Sequence, residues 1–77
     1  MAEAHEYLVV IEEGPTSFGA YVPDLPGCVA VGETREECVE LIQEAIAFHI
    51  EGLIEDGETV PEPHSSIIQV PYHPSAA

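Results

Sequence analysis

The chain has 77 residues, with 15 Asp and Glu side chains against a single Lys or Arg, and a formal net charge of −14 at neutral pH. Arg35 is its only cationic side chain apart from histidine, so it has nothing to neutralise a row of phosphates, which argues against nucleic acid or an anionic membrane as a partner. At 45% apolar residues the composition is that of a folding chain rather than a disordered one, and the length allows one small domain that gains from association.

Such acidity suits a basic partner, or serves solubility alone. No basic and apolar signal precedes the first strand-like run, and no apolar run approaches the roughly 18 residues that span a bilayer, so the expected location is the cytoplasm. Cys28 and Cys38 lack CxxC spacing, which predicts two buried free thiols rather than a disulfide or a zinc site.

The first predicted element is a strand over His5–Glu12, rich in β-branched and aromatic residues, with Tyr7, Val9 and Ile11 on one face and Leu8 and Val10 on the other. Gly14 and Pro15 then supply turn chemistry for a hairpin. Phe18–Val22 forms the second strand, placing Phe18, Ala20 and Val22 together and Tyr21 opposite. Two prolines and Gly27 break any ladder over Pro23–Gly27, and Cys28–Val31 is a short third strand.

Thr34 to Gly57 is the one stretch with sustained helical periodicity. Thr34 and Glu37 have the spacing of a capping box, with the Glu37 carboxylate reaching back to the Thr34 N–H; Gly57 offers a left-handed C-terminal stop and Pro61 bars continuation. Cys38, Leu41, Ile42, Ala45, Ile46, His49 and Leu53 make one apolar stripe, and Glu37, Glu40, Glu44, Glu51 and Glu55 an acidic ridge mostly opposite. Gly52 marks an early helix end or a close backbone approach. Beyond the proline-broken connector Glu58–Ser65, Ser66–Val70 is a fourth strand closed by Pro71. Residues 1–71 are thus one domain, and 72–77 a tail with little to pack.

The order β-β-β-α-β is α+β: an antiparallel meander of three strands, then a right-handed helical crossover to a strand parallel to the first and third. Patterning leaves open whether the fourth strand joins the first or the third. Leu8, Val10 and Tyr21 on the face away from the helix, with Val39, Ile50 and Ile54 at the helix margin, are apolar surface beyond the needs of one core. They are the expected interface of a homo-oligomer, most simply a two-fold dimer.

The sequence carries no catalytic signature. His5, His49, His64 and His73 have no metal-ligand spacing, and no nucleotide-binding or nucleophile-elbow motif occurs, so neither metal nor cofactor is expected. The glutamates line a helix face instead of converging in a cleft, as acid and base catalysis requires. His49, on the stripe, reads as a hydrogen-bonded core histidine. A rival reading makes the chain a small ligand-binding or enzymatic domain, with the turn at Asp24, the Cys28 thiol and His49 lining a pocket.

At the level of the whole chain, residues 7 to 70 resemble the N-terminal domain of the HicB-type antitoxins. The resemblance is carried by Pro23-Asp24-Leu25-Pro26-Gly27-Cys28, by Gly32, Glu33, Thr34, Glu36 and Glu37 at the helix start, by Glu44-Ala45, and by Asp56, Gly57, Pro61 and Pro63 at its exit. It implies a partial ribonuclease H-like fold of strand order 3-2-1-4 with the helix on one face. It also implies a non-catalytic protein of a type II toxin–antitoxin system that neutralises HicA, a small basic toxin cleaving messenger RNA, by covering its RNA-binding surface. The expected toxin contacts are Asp24, Glu37, Glu40, Glu44, Glu51 and Glu55. Ribonuclease H enzymes gather metal-binding acids on the first and fourth strands and the helix, whereas the fourth strand here offers only Ser66, Ile67, Ile68, Gln69 and Val70. Many members carry a C-terminal helix-turn-helix or ribbon-helix-helix module, for which these 77 residues hold no counterpart.

Overall fold

The computed structural model describes residues 5–75, in which three antiparallel strands carry one long helix across a single face. The strands are β1 (Val10–Glu13), β2 (Phe18–Tyr21) and β3 (Val29–Gly32), in the order β1-β2-β3, and the helix α1 spans Arg35–Glu55. The last two residues of the expected tail lie outside the described residues.

β1 and β2 pair from Val10↔Tyr21 to Glu13↔Phe18 around the loop 14–17, which the Gly14 N–H closes by donating to the Ser17 carbonyl at 2.8 Å. β1 is shorter than the predicted His5–Glu12 because its partner runs out. Its pairing stops at Val10↔Tyr21, because the chain of β2 enters a turn at Pro23-Asp24, closed by the Leu25 N–H donating to the Val22 carbonyl at 3.0 Å, and leaves no strand opposite residues 5–9.

Two consecutive β-turns join β2 to β3. Leu25 N–H donates to the Val22 carbonyl at 3.0 Å across Pro23-Asp24, and Cys28 N–H to the Leu25 carbonyl at 3.0 Å across Pro26-Gly27. Proline presets the first corner of each turn, and Gly27, at φ 85°, supplies the left-handed residue that a type II turn requires at its third position. The Leu25 side chain, between the two turns, is driven inward and completely buried.

At the helix start Thr34 Oγ1 accepts from Glu37 N–H at 3.0 Å, as the capping box predicts. The Glu37 carboxylate reaches one residue further back than expected, accepting from Glu33 N–H at 2.8 Å. At the far end Glu58 N–H donates to the Leu53 carbonyl at 2.9 Å and Gly57 N–H to that of Ile54 at 3.0 Å, a Schellman closure on Gly57 at φ 72°. Gly52 neither ends the helix nor meets a close neighbour: α1 runs through it, and the space over its Cα is open.

Ala20, Val22, Leu25, Cys28, Cys38 and Ile42 form the core, flanked by Tyr7, Val9, Ile11, Phe18, Ala30, Ala45, Ile46 and Ile50. Both cysteines are free and buried. Burying each large apolar side chain contributes about 1.5–3 kcal/mol, so a core this small leaves a modest margin. The helix rolls slightly from its expected orientation. Leu41, placed on the stripe by periodicity, is exposed, whereas Ile50, expected at the interface margin, packs partly on the core.

The sheet of the described residues has three strands, not four. After the helix the chain returns to the start of β1, where Tyr7 Oη donates to the Pro61 carbonyl and Asp24 grips His64 and Ser65. Ser66–Val70, expected as the fourth strand, then continues exposed and pairs with no strand among the described residues. No helix of the described residues is long and apolar enough to cross a membrane.

Candidate functional site

Two surfaces carry chemistry, one on the helix and one at the turn between β2 and β3. On α1, Glu37, Glu40, Glu44, Glu51 and Glu55 are spaced three, four, seven and four residues apart, so they stack along one side. All five are exposed, and Arg35 is the only Lys or Arg on the helix. Cys38 and Ile42, on the opposite side, fix which way the ridge faces by burying themselves in the sheet. Glu37 has one carboxylate oxygen engaged in the cap, so Glu40, Glu44, Glu51 and Glu55 are the freer members.

Asp24 is not part of this surface. Its carboxylate is buried, 3% exposed, and accepts from His64 N–H at 2.9 Å, from Ser65 N–H at 3.0 Å and from the Ser65 hydroxyl; the largely exposed His64 ring also lies 3.2 Å away. The Ser65 hydroxyl bond above all, then the two backbone donors, outweigh burial and hold the carboxyl below its ordinary pKa. The residue expected to meet a toxin instead fastens the chain's own C-terminal segment. Its spacing from His64 and Ser65 gave no sign of this, since the contact spans 41 positions. Beside it, burial and the negative charges of Asp24 and Glu62 raise the pKa of Tyr7, keeping its hydroxyl protonated as the donor to Pro61.

Sequence reasoning also missed Phe48, which is 80% exposed on α1 between Glu44 and Glu51. Grooves open on either side of it. One of about 490 Å³ runs between the helix and β3 past Val29, Val31 and Leu41, and the other, about 440 Å³, past Cys28, His49 and Asp56. An exposed phenylalanine one turn from glutamates on both sides was legible from helical spacing, but its apolar character suggests core until the helix orientation is known.

The rival pocket is assembled in part: Cys28 and His49 line the second groove, and Asp24 does not. His49 is half-buried along that groove rather than enclosed in the core. Burial pushes the Cys28 thiol up, the opposite of what a nucleophilic cysteine needs. Among the described residues no group of three or more His, Cys, Asp or Glu side chains is arranged to hold a metal ion.

Comparison with known proteins gives this surface its context. A family model for the HicB-like antitoxin of bacterial toxin–antitoxin systems matches residues 7–75. An uncharacterised 14.9 kDa protein of Haemophilus phage HP1 is 43% identical over 56 residues, covering 73% of this chain and 42% of that protein. A UPF0150 protein of Synechocystis sp. is 38% identical over 61 residues, 78% of this chain and 77% of its own. Antitoxin HicB 2 of Photorhabdus laumondii is 28% identical over 92% of this chain and 53% of its own. The chain therefore spans about half the length or less of the phage protein and the Photorhabdus antitoxin.

Among solved structures, a chain of the HicA3 and HicB3 toxin-antitoxin complex superposes with a TM-score of 0.67 at 33% identity, covering 78% of this chain and 70% of that one. The N-terminal domain of the Burkholderia pseudomallei antitoxin HicB superposes at 0.66 and 36% identity, covering 75% and 69%. The meander, the double turn, the capped helix and these likenesses agree, and the chain belongs to the HicB-like antitoxin family of bacterial toxin–antitoxin systems, a family of antitoxins rather than catalysts.

Proposed function

We propose that this protein acts in the cytoplasm as the antitoxin half of a type II toxin–antitoxin pair, covering the RNA-binding surface of a small basic HicA-like toxin with the exposed side of α1. The observation that carries this reading is the ridge Glu37, Glu40, Glu44, Glu51 and Glu55 on a helix whose only Lys or Arg is Arg35. A toxin that binds RNA presents cations to phosphates, and a row of carboxylates one or two helical turns apart competes for the same cations. Phe48 adds to the ridge what charge alone lacks, an apolar anchor with grooves beside it. Likeness to a chain solved in a HicA3–HicB3 complex supports the choice of partner.

The test is co-expression with a small basic HicA-like toxin, followed by copurification and a growth assay. Rescue of growth, lost when Glu44 and Glu51 are both changed to Lys, is the expected result. Full rescue by the doubly reversed protein would remove the ridge from the mechanism, and failure of the wild-type chain to bind or rescue would remove the toxin.

The protein also self-associates in this reading. Val10 and Tyr21 lie on the sheet face away from the helix, where the rows Val10–Tyr21–Val29 and Gly19–Val31 run across the strands, and Tyr21, Val29 and Val31 are exposed; Leu8, half-buried, precedes the paired register. Val39 and Ile54 continue the apolar margin on α1, with Ile50 partly committed to the core. In the same reading a fourth strand at the free edge of β1 would complete a partial ribonuclease H-like sheet of order 3-2-1-4.

A further inference from the structure

The C-terminal segment leaves its own domain without a partner and has the makings of a strand. Ile68, Val70 and Tyr72 alternate with Gln69 and Pro71, so they share one face of an extended chain, and they are 80, 75 and 83% exposed. Ile67 is exposed as well. An apolar, β-branched, extended segment with unpaired backbone groups is a template for pairing with another chain. The sheet it leaves has a free edge of the same kind, because among the described residues β1 pairs only with β2.

We propose that this arm, Ser66–Tyr72, pairs with the free edge of β1 in a second copy of the protein, so that two chains exchange arms about a two-fold axis and each completes a four-stranded sheet. The proposal rests on the self-association read above and supplies its means. Three features favour a second copy over other occupants. From Pro63 to Ala77 the chain carries no acidic side chain, its longest such stretch, so the arm is the part of a −14 molecule that can approach another −14 molecule without added repulsion. A basic toxin, by the same reasoning, gains nothing electrostatically from it. The arm also starts from a fixed point: Asp24 grips His64 and Ser65, and Tyr7 holds Pro61 just before β1, so it leaves beside the very edge that a reciprocal exchange must bring together. Pro61 and Pro63 restrict the connector's backbone, so the arm keeps the exposed course on which it leaves rather than sampling its own β1 freely.

The experiment combines sedimentation equilibrium with isotope-filtered NMR on a mixture of differently labelled chains. The expected results are a particle of twice the 8.3 kDa chain mass, methyl contacts from Ile68 and Val70 to β1 of the unlike chain, and at least about a 100-fold rise in dissociation constant for the double variant I68E/V70E with its circular dichroism unchanged. Three results would overturn the proposal in distinguishable ways. A monomer at tens of micromolar protein removes self-association itself. A dimer unaffected by I68E/V70E removes the arm from the interface. Contacts between the arm and β1 confined to like-labelled chains show a strand closed within one molecule.

Discussion

Asp24 and Ser65, 41 positions apart, are tied by two hydrogen bonds, the Ser65 N–H donating to one carboxylate oxygen at 3.0 Å and its hydroxyl to the other. One turn residue thereby determines where the chain goes after the helix. Replacing the carboxylate by an amide keeps its shape but gives one of these donors no acceptor. In Asp24→Asn, hydrogen exchange at the His64 and Ser65 amides is expected to speed up at least about ten-fold, with the amides of α1 little changed. Unaltered protection at residues 64 and 65 would show that the segment is held by something else.

The same contact has a pH signature. The folded-state pKa of Asp24 lies below its unfolded value, so its contribution to stability is complete above the ordinary carboxylate pKa and is lost as pH falls through the folded value. The nuclear magnetic resonances of His64 and Ser65 should therefore shift with an apparent midpoint below that of an ordinary aspartate. In Asp24→Asn that midpoint should disappear.

Gly32 ends β3 where the first turn of α1 comes closest. A Cβ at this position would lie 2.7 Å from the Cys38 nitrogen and 3.0 Å from its Cα, backbone atoms that cannot move aside. Gly32→Ala should cost about 1–3 kcal/mol as strand and helix are forced apart, a loss of roughly 4–8 °C in Tm for each kcal/mol in a domain of this size. Thermal unfolding followed by circular dichroism measures it.

Gly52 is the opposite case. It is inside α1, its φ is not left-handed, and nothing lies within 4 Å of where a Cβ would be. Gly52→Ala should raise stability by about 0.5–1 kcal/mol, read as a higher denaturation midpoint with unchanged slope. A destabilised variant would mean that the open space is filled by a partner in solution.

Salt separates the two associations. Lowering ionic strength lengthens the Debye screening from about 8 Å at 0.15 M to about 30 Å at 0.01 M. Two acidic copies should then dissociate more readily, while binding to a basic toxin should tighten. Parallel titrations by sedimentation and calorimetry check the opposite signs.

Much of this architecture was legible in local sequence, because its determinants lie within a few residues of where they act. Thr34 and Glu37 make a cap at fixed spacing, Gly57 closes the helix, and Pro26-Gly27 dictates a turn whose left-handed residue only glycine takes cheaply. The apolar stripe and the acidic ridge both follow from the 3.6-residue period. The charge of −14 follows from composition alone. What tertiary structure alone decided are contacts between distant positions and the rotation of the helix on its sheet. Periodicity gives the angle between Phe48 and Ile42 around the helix axis but not which of them faces the core; packing on β2 and β3 buried Ile42 and left Phe48 outside. A turn aspartate reads as a surface charge until two backbone N–H groups from 40 and 41 residues away are found pointing at it. And Ser66–Val70 has the pattern of a strand, but a strand is a relation between two segments, and propensity cannot say which edge, or whose, provides the other half.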